Sequence, residues 1–124
     1  MNIDFKDIEE GWYNARVSQI REGAGPHGPF LRIIFTITDG ELQRYRFSGF
    51  VKPSGLKQGR LYRWITIILG EEPQNEFSTE ELTGRECLVY LSRRKDRYTV
   101  IELCQKDMAP VITSPANKPN CLSV

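Results

Sequence analysis

Three stretches early in the chain alternate apolar and polar residues with a period of two, and this restricts the fold more than any other feature. In residues 12–21, Tyr13, Ala15 and Val17 fall on one side, and Trp12, Asn14, Arg16 and Ser18 on the other. That is the pattern of a half-buried strand. A Gly/Pro-rich stretch at 23–29 reads as a loop. Residues 30–38 then place Leu31, Ile33, Phe35 and Ile37 inward, with Arg32, Ile34 and Thr36 outward. Asp39-Gly40 is a tight-turn dipeptide, and residues 42–51 form a third strand. The three strands are predicted to form a meander.

One helix follows. Ser54 is the expected N-cap, Leu61, Trp64, Ile65 and Ile68 recur at helical spacing, and Gly70 stops the run. Gly59 weakens the first turn. The acidic stretch from Glu71 to Glu81 reads as a loop with a short helical turn at 78–82. Residues 85–92 and 97–104 are two further strands joined by residues 93–96. The fold class is therefore all-β with one helix, in the order β-β-β-α-β-β. This is the element order of the OB-fold, a five-stranded Greek-key barrel with its helix between the third and fourth strands. A strand count of five also admits an SH3-like barrel or a small sandwich, but neither places its only helix there by rule. Residues 1–106 make up the domain. Residues 107–124, with three prolines and little to pack, read as a flexible tail.

Several classes of function are poorly supported. Cys87, Cys104 and Cys121 are odd in number and widely spaced, so they read as small buried hydrophobes, not as disulfides or a zinc site. His27 stands alone in a Gly/Pro-rich loop, too few histidines for general acid–base work or a metal centre. Neither a phosphate-binding G-x-x-x-x-G-K-[ST] loop nor a Gly-x-Ser-x-Gly elbow occurs; after Gly23 and Gly28, Pro29 stands where the lysine belongs. The expectation is a protein that is not an enzyme and needs no cofactor or metal. The final Cys121-Leu122-Ser123-Val124 fits a prenylation box only superficially, because serine is a poor aliphatic. No apolar run is long enough to span a bilayer and no signal peptide is visible, so the expected location is cytoplasmic.

The net charge of +1 hides a segregated distribution. Residues 16–63 carry nine basic side chains against three acidic ones, and residues 93–97 carry four against Asp96. The balancing acids lie in residues 1–10 and 71–86. The basic segments coincide with strands two and three and the last hairpin, where an OB-fold binds its ligands. Aromatic residues interleave with them: Phe30, Tyr45, Phe47, Phe50 and Tyr90. Single-stranded nucleic acid matches this pairing, since cations follow phosphates while rings stack on bases. The expected contacts are Arg16, Arg32, Arg44, Arg46, Phe50, Tyr90, Arg93, Arg94, Lys95 and Arg97. By parity, Arg44, Arg46, Ser48 and Phe50 share the outer face of strand three, leaving Tyr45 and Phe47 to the core unless a bulge near Gly49 switches the face. Plain solvation of the arginines, and a charged hairpin tip that discourages edge pairing, fit the same pattern.

The motif Glu10-Gly11-Trp12-Tyr13-Asn14-Ala15-Arg16-Val17 resembles the Glu-Gly-x-Tyr-x-Ala-x-Val opening of a family of uncharacterised phage and prophage proteins. The resemblance continues through Gly28 to Ile37, Asp39-Gly40, the helix end Ile68-Leu69-Gly70, and Leu82 to Val89. It implies a small OB-fold, single-stranded-DNA-binding-like protein among phage replication and recombination functions. The tail lacks the acidic, Phe-terminated tip by which bacterial single-strand-binding proteins recruit partners. The expected partner is single-stranded DNA, with RNA and homo-oligomerisation left open. The alternative is a protein-interaction module that docks on a replication, recombination or host-defence protein through the acidic segments 1–10 and 71–86.

Overall fold

The computed structural model describes residues 7–106. It contains strands β1 (Gly11–Gly25), β2 (Gly28–Ile37) and β3 (Arg46–Val51), helix α1 (Arg60–Leu69), a 3-10 turn (Thr79–Leu82), and strands β4 (Glu86–Arg94) and β5 (Arg97–Cys104). The tail at 107–124, Cys121 and most of the acidic segment 1–10 lie outside the described residues. The strands form one sheet in the order β1-β2-β3-β5-β4, and β4 pairs back with β1 to close it into a ring.

Strand β1 is long enough to serve two neighbours. Residues 11–16 pair with β4 and residues 15–25 with β2. Between Val17 and Gln19 the register slips by one residue, so Ser18 bulges. A bulge reverses which side chains face inward. Ala15 and Val17 are buried before it, and Ile20, not Gln19, packs on the core after it. The Ser18 hydroxyl shares a hydrogen bond with Thr36 across the strand pair.

The expected loop at 23–29 is instead paired strand. Gly23 lies opposite Phe30 and Gly25 opposite Gly28, leaving only Pro26-His27 as the turn. Gly28, at φ 103°, supplies a backbone conformation that other residues rarely adopt, so the chain reverses in two residues. The third strand, by contrast, starts four residues later than expected. Leu42 dips into the core, and Arg44 takes a left-handed conformation at φ 77°, donating its N–H to Ile37 O at 2.8 Å. Tyr45 is thereby turned out and is 49% exposed, which corrects its assignment to the core. Phe47 does pack against the core.

Helix α1 is amphipathic and covers the interior of the ring with Trp64, Ile65, Ile67 and Ile68. Its N-cap is Gly59, not Ser54. Upstream of Leu61 no side chain would reward a longer helix: Leu56 is 70% exposed, and Ser54 Oγ accepts from Leu56 N–H in a local turn. Trp64 is fully buried, edge-on to Phe35 at 6.3 Å. The 3-10 turn opens with a capping box in which Ser78 and Glu81 exchange hydrogen bonds. Cys87 and Cys104 are buried, as small hydrophobes would be, and burial pushes the Cys87 thiol up to about 12.

Glu10 clips the start of β1 to the last hairpin. Its Oε2 accepts from Ser92 Oγ at 2.8 Å and from Arg93 N–H at 3.1 Å, and these bonds hold its pKa below the ordinary 4.5. A depressed carboxylate contributes stability above its unfolded pKa and loses it as pH falls through the folded value. Glu10→Gln is therefore expected to flatten the acid limb of stability against pH. Urea unfolding at pH 7 and pH 3 checks this: an unchanged difference between the two would contradict it.

Candidate nucleic-acid interface

The ring is sparsely joined at one seam. Strands β3 and β5 run parallel and meet at a single bridge, Ser48 with Thr99. Over this seam and the outer face of β2 lies a cleft of about 640 Å³. Register decides what faces into it. Arg32 is opposite Phe50 on one side and opposite Arg21 on the other, while Ser48 faces Ile34 and Arg46 faces Thr36. The cleft is lined by Arg21, Arg32, Arg46 and Arg97, together with Phe30, Phe47, Phe50 and Tyr98. Among the described residues, Glu22 is its only acid.

Two of the arginines are held in place. Arg32 donates from Nε to Ser48 Oγ at 2.8 Å, which orients the guanidinium across β2 and β3. Gln19, its amide oxygen turned toward Arg21, accepts from Arg21 Nη2 at 3.0 Å and Nε at 3.2 Å. Like charges directly opposite on neighbouring strands are destabilising. Arg21 and Arg32 form such a pair, and no hydrogen bond to a carboxylate relieves it among the described residues. An anion held between them would.

Of the ten residues expected at the interface, Arg32, Arg46, Phe50 and Arg97 come together in this cleft. Arg16 is exposed on the same sheet, but it sits between Thr36 and Glu86 and does not line the cleft. Arg44 belongs to the left-handed turn before β3, so strand parity does not govern its side chain. Tyr90 offers no stacking face: it is 5% exposed, with its ring edge-on to Trp12 at 5.3 Å. Arg93, Arg94 and Lys95 are exposed at the last hairpin, where Arg93 Nε donates to Lys95 O. Arg60 and Arg63 also contribute to the basic count, yet both serve the helix. Arg60 stacks over Trp64 at 4.8 Å and donates to Ile101 O, and Arg63 pairs with Glu102 at 3.4 Å.

Arg21, Phe30, Phe47 and Tyr98 are cleft side chains beyond the expected ten, Phe47 while also packing on the core. Arg21 has the same parity as Val17 and so reads as inward; the Ser18 bulge turns it out. Nothing in the sequence marks that bulge. Phe30 was visible among the aromatics of the basic stretch, but its exposure depends on Gly23 beneath its ring, where a Cβ would lie 2.5 Å from Phe30 Cζ.

The cleft suits an anionic polymer with flat apolar groups. Among the described residues, no cluster of three or more His, Cys, Asp or Glu side chains forms a metal site, and no helix is long and apolar enough to cross a membrane. Compared with models of known protein families and with curated protein sequences, the chain matches none.

Proposed function

We propose that this protein is a non-catalytic OB-fold module that binds single-stranded DNA with little regard to sequence, in phage or prophage replication and recombination. The observation that carries the reading is the convergence on one cleft of four arginines, one each from β1, β2, β3 and β5, with the half-buried Phe30 and the exposed Phe50. Guanidinium groups pair bidentately with phosphate, and rings stack on any base. The OB assignment draws support from the closing strand order and from the helix between β3 and β4. The phage setting rests on the sequence resemblance.

Titration with a fluorescent oligothymidylate in low salt tests the proposal. Saturable binding at micromolar concentration or tighter is expected, and no signal in low salt would refute it. A second reading has its own observation. Glu71, Glu72, Glu76, Glu80 and Glu81 are all exposed on one segment, which suits a basic protein partner. Capture of a partner that survives nuclease treatment would favour that reading.

A further inference from the structure

Beside the cleft, at the β1–β2 hairpin, is an open apolar hollow of about 290 Å³. Its walls include Gly25, Pro29, Phe30, Phe50 and Val51, and among the described residues His27 and Lys52 are its only polar side chains. Phe30 and Phe50 line both the hollow and the cleft and stand edge-to-face at 5.5 Å and 76°. The two rings therefore form a partition, with the arginine cleft on one side and the hollow on the other.

We propose that this hollow is a nucleobase pocket, which takes the base at one end of the strand held in the cleft. The inference rests on the nucleic-acid reading of the cleft. Three features select this occupant. The walls are flat rings and backbone with few hydrogen-bonding side chains, so they accept an aromatic face without reading its edge. The volume lies at the lower limit of about 300–1,000 Å³ for small-molecule sites, enough for one ring system. Cations stand at both sides of the partition: Arg32 opposite Phe50 in the cleft, and Lys52 in the hollow. A nucleotide whose base enters the hollow thus finds a cation for its phosphate on either hand. A neutral aromatic peptide would leave Arg21 and Arg32 unmatched.

Phe30 is fixed for this role by what lies beneath it. A Cβ at residue 23 would fall 2.5 and 2.6 Å from two of its ring carbons, so any side chain there would evict the ring. Gly25 differs: a Cβ would meet only Phe30 carbons, at 3.6 and 3.9 Å, in a backbone conformation open to other residues. Gly25→Leu therefore fills the hollow while sparing the cleft.

The test is an abasic scan of the shortest oligothymidylate that binds with full affinity, so that the strand cannot slide. In the wild-type protein one terminal position is expected to stand out, its abasic form binding about tenfold more weakly, the scale of one lost stacking contact. Ends ordinarily matter least, which makes this position diagnostic. Gly25→Leu is expected to erase that penalty and leave the salt dependence unchanged. If the variant fails to fold, the wild-type scan decides alone. A profile without a sensitive end would overturn the pocket and leave the cleft standing. Absence of binding at any length in low salt would overturn both. A change of mass by light scattering in Gly25→Leu without oligonucleotide would assign the hollow to contact between two copies and overturn the proposal.

Discussion

Replacing Arg32 and Arg46 together with glutamate is expected to weaken oligothymidylate binding by at least about 100-fold in low salt, without unfolding the protein. Each guanidinium–phosphate contact is a charge-assisted hydrogen bond worth about 1.5–3 kcal/mol, so losing two removes about 3 kcal/mol or more. Reversal then adds repulsion. Both side chains are exposed, and neither forms an ion pair among the described residues, so the fold has little to lose. Arg44 supplies the control. Arg44→Asn suits the left-handed conformation and leaves the cleft intact, so affinity should stay within about threefold of wild type. Fluorescence anisotropy with melting curves on each variant reads both effects. Equal losses at Arg44 and at the Arg32/Arg46 pair would point to diffuse attraction, not to a cleft.

The largest effect on stability is expected at Gly49→Ala, a change of a single methyl group. Gly49 lies on β3 where α1 covers the ring, and a Cβ there would sit 2.6 and 2.7 Å from two carbons of the Trp64 ring. Val100 O, a backbone atom at 3.2 Å, blocks retreat on the other side. Trp64 is fully buried against Phe35, so the indole cannot yield without moving the core. Overpacking of this kind costs about 1–3 kcal/mol, and two close contacts with a rigid ring put the site near the upper end. Unfolding in urea should show a midpoint lowered by that free energy divided by the slope, with the slope itself unchanged. Trp64→Phe in the same background should recover part of the loss. A Gly49→Ala protein as stable as wild type would mean that α1 does not pack on β3 in this way.

What the sequence reveals follows from the range of the interactions involved. Alternation in β2 identified Leu31, Ile33, Phe35 and Ile37 as inward, because they answer to one uninterrupted pleat, but Ile34 and Thr36, expected outward, are buried as well. The 3-10 turn was readable because its capping box is local to Ser78 and Glu81. Reading failed wherever a tertiary event reset the pattern. The Ser18 bulge hid Arg21, and the burial of Leu42 set a turn that took Arg44 and Tyr45 off the strand. Tyr90 lies on a face of β4 that Trp12 covers from β1, a contact between residues far apart in the chain. The segregation of charge was legible, but its destination was only partly so. Arg60 and Arg63 spend their charge on the helix surroundings, and Arg93 to Lys95 stay at the hairpin tip. The cleft draws its cations from four positions on four strands, a set that only the register brings together.

The salt dependence of oligothymidylate affinity tests the central claim most directly. Each phosphate neutralised on a single strand contributes about −0.7 to the slope of log K against log salt. If Arg21, Arg32, Arg46 and Arg97 each hold one phosphate, the slope should be about −3. A linear plot near that value is the predicted result. A flat plot, or no binding at the lowest salt, would contradict the account.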